Sequence, residues 1–288
     1  METKYDSRER SQYIKMESRK TRCSKFARYI SLDHKQQEDF VTFQCKKVPL
    51  LYAIYRSVLA AYSIMVVVAS GLKSSGPKVF IWFTYWAYYT LTLSFIVRCF
   101  TAWLYRLYWK NPNGEYYWKY TPRVLKIQFV LVNIASTVSP VISIIFWLAV
   151  YDPETGPTAV SINTHGINVA LVVLDTIISR HPVKLIHFFH SVIFCVVYAL
   201  FTVLYWAVGG TNHKNEPYIY KILDYSGKTD VAIMYVLLVP FAGAPLCHSF
   251  IYIIFKLRNA IYNNTCSKED TDAAQEDHEM EKLGIVSL

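Results

Sequence analysis

Six long apolar runs, separated by short charged clusters, restrict what this chain can become more than any other feature. They read Val48–Leu72, Val79–Tyr105, Val124–Val150, Ala159–Ser179, Lys184–Val208 and Asp230–Phe255. Each is long enough to cross a hydrocarbon layer about 30 Å thick, which needs roughly 20 residues of helix. A lipid-exposed backbone must satisfy its own hydrogen bonds, and runs this long and continuous do not suit barrel strands. The composition agrees, with 53% apolar, 16% aromatic and only 18% charged residues in a chain of 288. These figures exclude a disordered or collagen-like chain and argue against an ordinary soluble enzyme. The expected fold is therefore all-α, a polytopic membrane protein built as a bundle of six transmembrane helices.

Lysine and arginine set the orientation, because they accumulate on the cytosolic side of short loops. One side collects 23 of them, from residues 1–47, the Arg106–Lys126 region, Arg180 with Lys184, and the segment from Lys256 onward. The other side collects 5, and Arg56 and Arg98 lie within spans. Both termini are expected in the cytosol. Three regions follow: a basic cytosolic tail at 1–47, a membrane domain at 48–258, and an acidic tail at 259–288 expected to be disordered. The net charge of +9 is explained by topology, so nucleic acid is not an expected partner. The expected partners are the lipid bilayer, with anionic lipid at the N-tail, and proteins engaging the tails or the 209–229 loop. In the N-tail, Phe26, Tyr29 and Ile30 fit helical spacing among basic residues, as an interfacial helix requires.

Polar residues inside spans are costly and therefore suspect. At 1.5 Å per residue they sort into two bands by depth. Thr84, His165 and Asn168 fall roughly 7–14 Å below the outer surface on that rise. Arg56, Arg98, Asp175, His187, His190 and His248 fall roughly 5–13 Å from the inner surface. In the inner band, Asp175 can neutralise Arg56 or Arg98 as a structural ion pair; the sharper reading is a proton or ion relay. A metal would need three converging ligands, and His-x-x-His alone is unspecific, so no metal and no cofactor are expected. In the outer band, a threonine hydroxyl beside a histidine could act as nucleophile and base on a membrane ester. The bland alternative is that these side chains bond helical backbone and neighbouring helices. Between the bands, Pro240-Phe241-Ala242-Gly243-Ala244-Pro245 is expected to interrupt the last span.

One set of residues resembles a known family. Asn163-Thr-His165-Gly-Ile-Asn168, Asp175, Pro182, His187, Tyr205-Trp206, Gly210-Thr-Asn212 and Tyr218-Ile-Tyr220-Lys-Ile-Leu-Asp224 resemble the rolling stone family of animal membrane proteins. The match covers most of residues 45–258, with Asp224-Tyr225 in place of an expected Asp-Trp. The resemblance implies a multi-pass plasma-membrane protein linked, in insects, to myoblast fusion and muscle formation, without an established catalytic activity. A more distant similarity is to the androgen-induced six-span lipid hydrolases, which use an intramembrane threonine and histidine. Thr84 falls where that threonine would lie. Their fourth span carries His-x-x-His-Thr, whereas this chain has His165-Gly-Ile-Asn168-Val, which puts Asn168 at the catalytic histidine's position. Asn168 cannot act as a base, and His165 lies one turn away. Support of cell–cell fusion is thus the first expectation, an intramembrane Thr84/His165 hydrolase of lipid esters the alternative, and a relay on the inner cluster the third.

Overall fold

A computed structural model of the chain describes residues 30–45, 48–73, 76–109, 121–154 and 156–282. It is all-helical, and no strand occurs among the described residues, only an isolated bridge between Phe43 and Ser179. Six rods cross the bundle: α1 (Pro49–Lys73), α2 (Phe83–Leu104), α3 (Arg123–Val150), α4 (Ala159–Ile178) and α5 (Leu185–Ala207). The sixth, α6, joins Thr229–Leu238, a π turn at Val239–Gly243 and Ala244–Lys282. Five of these are long and apolar enough to cross a membrane by length and composition alone. The other, α2, has 22 residues and so spans about 33 Å at the helical rise. Its lower apolarity reflects its tyrosines, its threonines and Arg98, which is buried rather than lipid-facing.

An even number of crossings returns both ends of the membrane domain to one side, the side rich in Lys and Arg. Boundaries follow the apolar runs closely, with two informative differences. Pro77–Ile81 forms a 3-10 turn and Trp82 is extended, so α2 starts at Phe83 instead of Val79. The Pro240–Pro245 stretch does not break the last span. It is absorbed as the π turn, which re-pairs the backbone around residues that lack an N–H. The helix then continues past 258 to Lys282, so no helix end marks the expected boundary of the acidic tail. The expected Phe26–Tyr29 amphipathic segment lies outside the described residues.

Residues 30–45 are not a free tail. They fold into the inner mouth of the bundle, where Phe40 and Val41 are fully buried against Tyr52, Leu125 and Phe129. The Phe40 carbonyl accepts from Gln128 Nε2 at 2.9 Å, and Asp39 pairs with Arg180 Nε at 2.8 Å. Lys126 Nζ bonds Asp33 at 2.7 Å, and this bond holds the Asp33 carboxyl below its ordinary range. At the same end Arg258 donates to the carbonyls of Thr176 at 2.9 Å, Ser179 and His181, closing the C-terminus of α4 with a cation.

At the outer end the 209–229 loop folds down over the helices. Lys78 Nζ donates to Thr211 Oγ1 at 3.0 Å and to the Asn212 carbonyl at 2.7 Å, and Trp82 Nε1 donates to His213 Nε2 at 3.2 Å. Tyr220 enters the bundle and its hydroxyl accepts the Phe83 N–H at 3.0 Å. The turn that starts the loop needs Gly209, at φ 77°, and a bare Cα at Gly210. A Cβ on Gly210 would lie 2.4 Å from the Tyr205 ring and 2.5 Å from its carbonyl oxygen.

Two measurements follow from these contacts. Gly210→Ala should cost about 1–3 kcal/mol through overpacking and make the 209–229 loop accessible to limited proteolysis. Unchanged protection would show that the turn is not held as described. Asp175, on α4, pairs with the buried Arg56 and Arg98, so Asp175→Asn should lower stability by about 3–5 kcal/mol, the usual cost of leaving buried charges unpaired. Thermal unfolding followed by size-exclusion chromatography reads it, and an unshifted midpoint would mean that the two arginines find other partners.

Candidate functional site

The inner band of polar residues comes together around Asp175, on α4. Arg56 from α1 donates to Oδ1 at 2.5 Å, and Arg98 from α2 donates to Oδ2. Tyr55 also donates to Oδ1, at 3.0 Å. Arg98 Nη2 reaches Ser179 Oγ at 3.1 Å, and that hydroxyl donates to the Asp175 carbonyl at 2.6 Å. The other arm of Arg56 donates to Tyr52 OH at 2.5 Å, while its guanidinium lies 4.6 Å from the Tyr52 ring centroid and 4.9 Å from that of Tyr55. Arg56 is wholly buried. The arginines therefore do not reach out toward water; one carboxylate holds both and ties α1, α2 and α4 together. Two cations on one anion leave a net positive charge, and Nε of each arginine has no acceptor.

The three inner histidines are held separately. His187 and His190 stand edge to face, 5.1 Å between centroids, but each is spoken for by main chain. His187 Nε2 lies 3.1 Å from the Ile30 carbonyl and His248 Nε2 3.0 Å from the Lys184 carbonyl, so both nitrogens carry protons. Their Nδ1 atoms must then accept, from Asn133 Nδ2 at 3.2 Å and Thr137 Oγ1 at 2.8 Å. His190 Nδ1 bonds the His187 carbonyl at 3.0 Å. These bonds, to an amide, a hydroxyl and three carbonyls, tie the histidines to neighbouring helices and to the inner-mouth segment. Among the described residues no three His, Cys, Asp or Glu side chains converge on a point where a metal could bind.

The outer band is arranged differently. Thr84 and His165 both line an open cleft of about 760 Å³ at the outer end of the bundle, with Trp82, Phe146 and Tyr220. Thr84, at the start of α2, lies beside Tyr220 in the cleft wall, and among the described residues no hydrogen bond joins its hydroxyl to His165. His165 sits in a π turn, Asn163–Ile167, that opens α4. Its ring lies flat on Phe146, centroids 3.8 Å apart and planes 3° from parallel. It is 5% exposed, and its Nδ1 has no hydrogen-bond partner. Leaving such a group unsatisfied costs about 1–3 kcal/mol. Asn168, one turn deeper, accepts weakly from Ser143 Oγ at 3.4 Å, while its Nδ2 also lacks a partner. The structure thus brings Thr84 and His165 to one cleft without joining them, and leaves Asn168 outside its lining.

Several residues that shape these sites were not singled out from the sequence. Asn133, Thr137 and Gln128 are polar positions within the apolar run of α3, a signal that depth alone could have flagged. Arg258 entered the sequence reading only as a topology-setting charge. Nothing local to Tyr220 indicates that its hydroxyl would cap α2.

The comparisons with known proteins fit this architecture. A family model described as Protein rolling stone matches residues 26–269, which takes in the inner-mouth segment from Ile30, the first five helices and the sixth as far as 269. A curated relative, Protein rolling stone of Drosophila melanogaster, is 24% identical over 202 residues, covering 67% of this chain and 74% of the relative. No solved structure matches. With a single family model spanning the membrane domain and both of its polar layers, this chain belongs to the rolling stone family of multi-pass membrane proteins.

Proposed function

We propose that this protein acts at the plasma membrane to support cell–cell fusion or differentiation of muscle precursor cells, without a catalytic step of its own. The observation that carries this reading is the rolling stone match across residues 26–269. The geometry supports it in two ways. Among the described residues the longest outward segment, 209–229, is folded onto the helices through Lys78, Trp82 and Tyr220 and does not stand free as an ectodomain. Action then runs through partner proteins at the cytosolic tails or at that loop, or through the local bilayer. Among the described residues no hydrogen bond joins Thr84 to His165, and a hydroxyl nucleophile draws its activation from a base within that reach.

The alternative is an intramembrane hydrolase of lipid esters, with Thr84 as nucleophile, His165 as base and Asn168 nearby. What favours it is the shared cleft and the unpartnered Nδ1 of His165. One experiment separates the two readings. In muscle precursor cells depleted of the protein, fusion should fall, and wild type and Thr84→Ala should restore it equally. The purified wild type should also give no covalent product with a fluorophosphonate probe. Failure of Thr84→Ala to rescue at equal surface expression, together with labelling that depends on Thr84 and His165, would establish the hydrolase instead. No loss of fusion on depletion would end the fusion reading.

A further inference from the structure

The inner-mouth segment carries a hydroxyl that the bundle does not consume. Residues 31–34 have no regular secondary structure where the chain enters the mouth. Ser31 is half-buried there, and its Oγ lies at the exposed rim. It donates to Asp33 Oδ2 at 2.8 Å and accepts the Asp33 N–H at 3.0 Å. Both bonds are local and exposed, so neither commits the oxygen to a helix. Of the other hydroxyls at this mouth, Thr42, Thr121 and Ser179 are buried and out of an enzyme's reach. The excess of Lys and Arg at this end places Ser31 in the cytosol, where ATP and protein kinases act.

Two lysines make this corner a place that favours anions. Lys126, on α3, gives one N–H to Asp33 Oδ1 at 2.7 Å and is 34% exposed. Lys184, just before α5, donates to the carbonyls of Ser31 and Asp33. An ammonium has three N–H groups, so Lys126 keeps two and Lys184 one for a further acceptor. The Asp33 carboxyl is held below its ordinary range by the Lys126 bond first and the Ser31 bond second, and the charges of both lysines add to this. Two cations against one carboxylate leave the corner positive. The sequence before Ser31 is also basic: Arg28 stands three positions before it, Lys25 six before, and the apolar Leu32 directly after. An arginine at that spacing pairs with carboxylates beside the catalytic cleft of kinases that select basic substrates.

We infer that Ser31 is a phosphorylation site for an ATP-dependent serine kinase of basic specificity, and that its phosphate clamps the inner-mouth segment to Lys126 and Lys184. Ser31 Oγ forms the new P–O bond to the γ-phosphorus of ATP, the bond to the β-phosphate oxygen breaks, and ADP leaves. The hydroxyl proton passes to the kinase's own base. The product carries about −1.5 to −2 charges at neutral pH and three strong acceptor oxygens. It can no longer donate to Asp33, whose carboxylate, 55% exposed, turns toward water while the phosphate takes the lysine N–H groups. Charge-assisted bonds then tie residues 30–34 to α3 and to the turn before α5, where the unmodified hydroxyl makes only a local turn. The assignment does not depend on the fusion reading.

Phosphopeptide mass spectrometry of the full chain, purified from cells that express it, should find phosphate on Ser31. The purified chain in lipid vesicles, given ATP and a kinase that selects arginine three positions before serine, should take up phosphate at the same residue. Ser31→Ala should lose that uptake, and Arg28→Ala should slow it at least about tenfold. Hydrogen exchange reads the clamp. The amides of residues 31–34 should exchange roughly two- to fivefold more slowly after modification, the size expected of an exposed charge pair. Lys126→Gln should shrink that difference while leaving phosphate uptake unchanged. Absence of phosphate from Ser31 in either preparation, or a wild-type rate in Arg28→Ala, would overturn the assignment. So would exchange that is unchanged or faster after modification, or a slowing undiminished in Lys126→Gln.

Discussion

One carboxylate organises the membrane domain. Asp175 receives Arg56 from α1, Arg98 from α2 and the Tyr55 hydroxyl, and its own carbonyl takes the Ser179 hydroxyl at the end of α4. In hydrocarbon there is no hydrophobic force to press one apolar helix on another, so polar bonds of this kind, with close packing, decide which helices meet. Removing any arginine from water is costly, and each is tolerable here only because the same anion and its hydroxyl neighbours surround it. The cluster therefore fixes three helices at one depth. The remaining spans are registered to that frame by further polar bonds: Asn133 to His187, Thr137 to His248, and Arg258 to the carbonyls at the end of α4.

That frame explains why the two polar layers behave differently. In the inner layer His187, His190 and His248 are each bonded to a carbonyl, an amide or a hydroxyl, although Nε of Arg56 and of Arg98 lacks an acceptor. The outer layer contains π turns in both α3 and α4, at Phe146–Val150 and Asn163–Ile167. An extra residue in a turn rotates the side chains beyond it, and here the two turns place Phe146 and His165 in a parallel stack. The stack leaves the His165 Nδ1 unsatisfied, and the loop residue Tyr220 enters beside Thr84 to accept the Phe83 N–H.

Much of this was legible in the sequence, for physical reasons that differ from part to part. The six spans could be read because hydrocarbon thickness imposes run length, and only α2 blurred, since tyrosines and threonines dilute its apolarity. The ion cluster was legible because Arg56, Arg98 and Asp175 have few alternatives at that depth. The cleft was half legible: Thr84 and His165 could be put at one level, but their separation depends on two π turns, and π turns have no reliable residue signature. The inner-mouth fold of residues 30–45 could not be read at all. Its charges look like those of a solvated tail, and what makes it fold is the set of distant partners, Gln128, Arg180 and His187, that it meets.

Those partners also constrain the order in which the molecule is completed. Ile30, Phe40 and Gln44 are made before any span, yet they are bonded to His187 on α5, Gln128 on α3 and Asn259 on α6. The ribosome must finish nearly the whole membrane domain before the segment it made first has anything to hold. Contacts this far apart in sequence close slowly. Until they do, the cytosolic mouth stays open, with the Phe129 and Leu125 surfaces that Phe40 later covers facing water. Maturation of this bundle is thus a late event on its cytosolic face, with the nascent N-terminal segment acting as the last piece to seat.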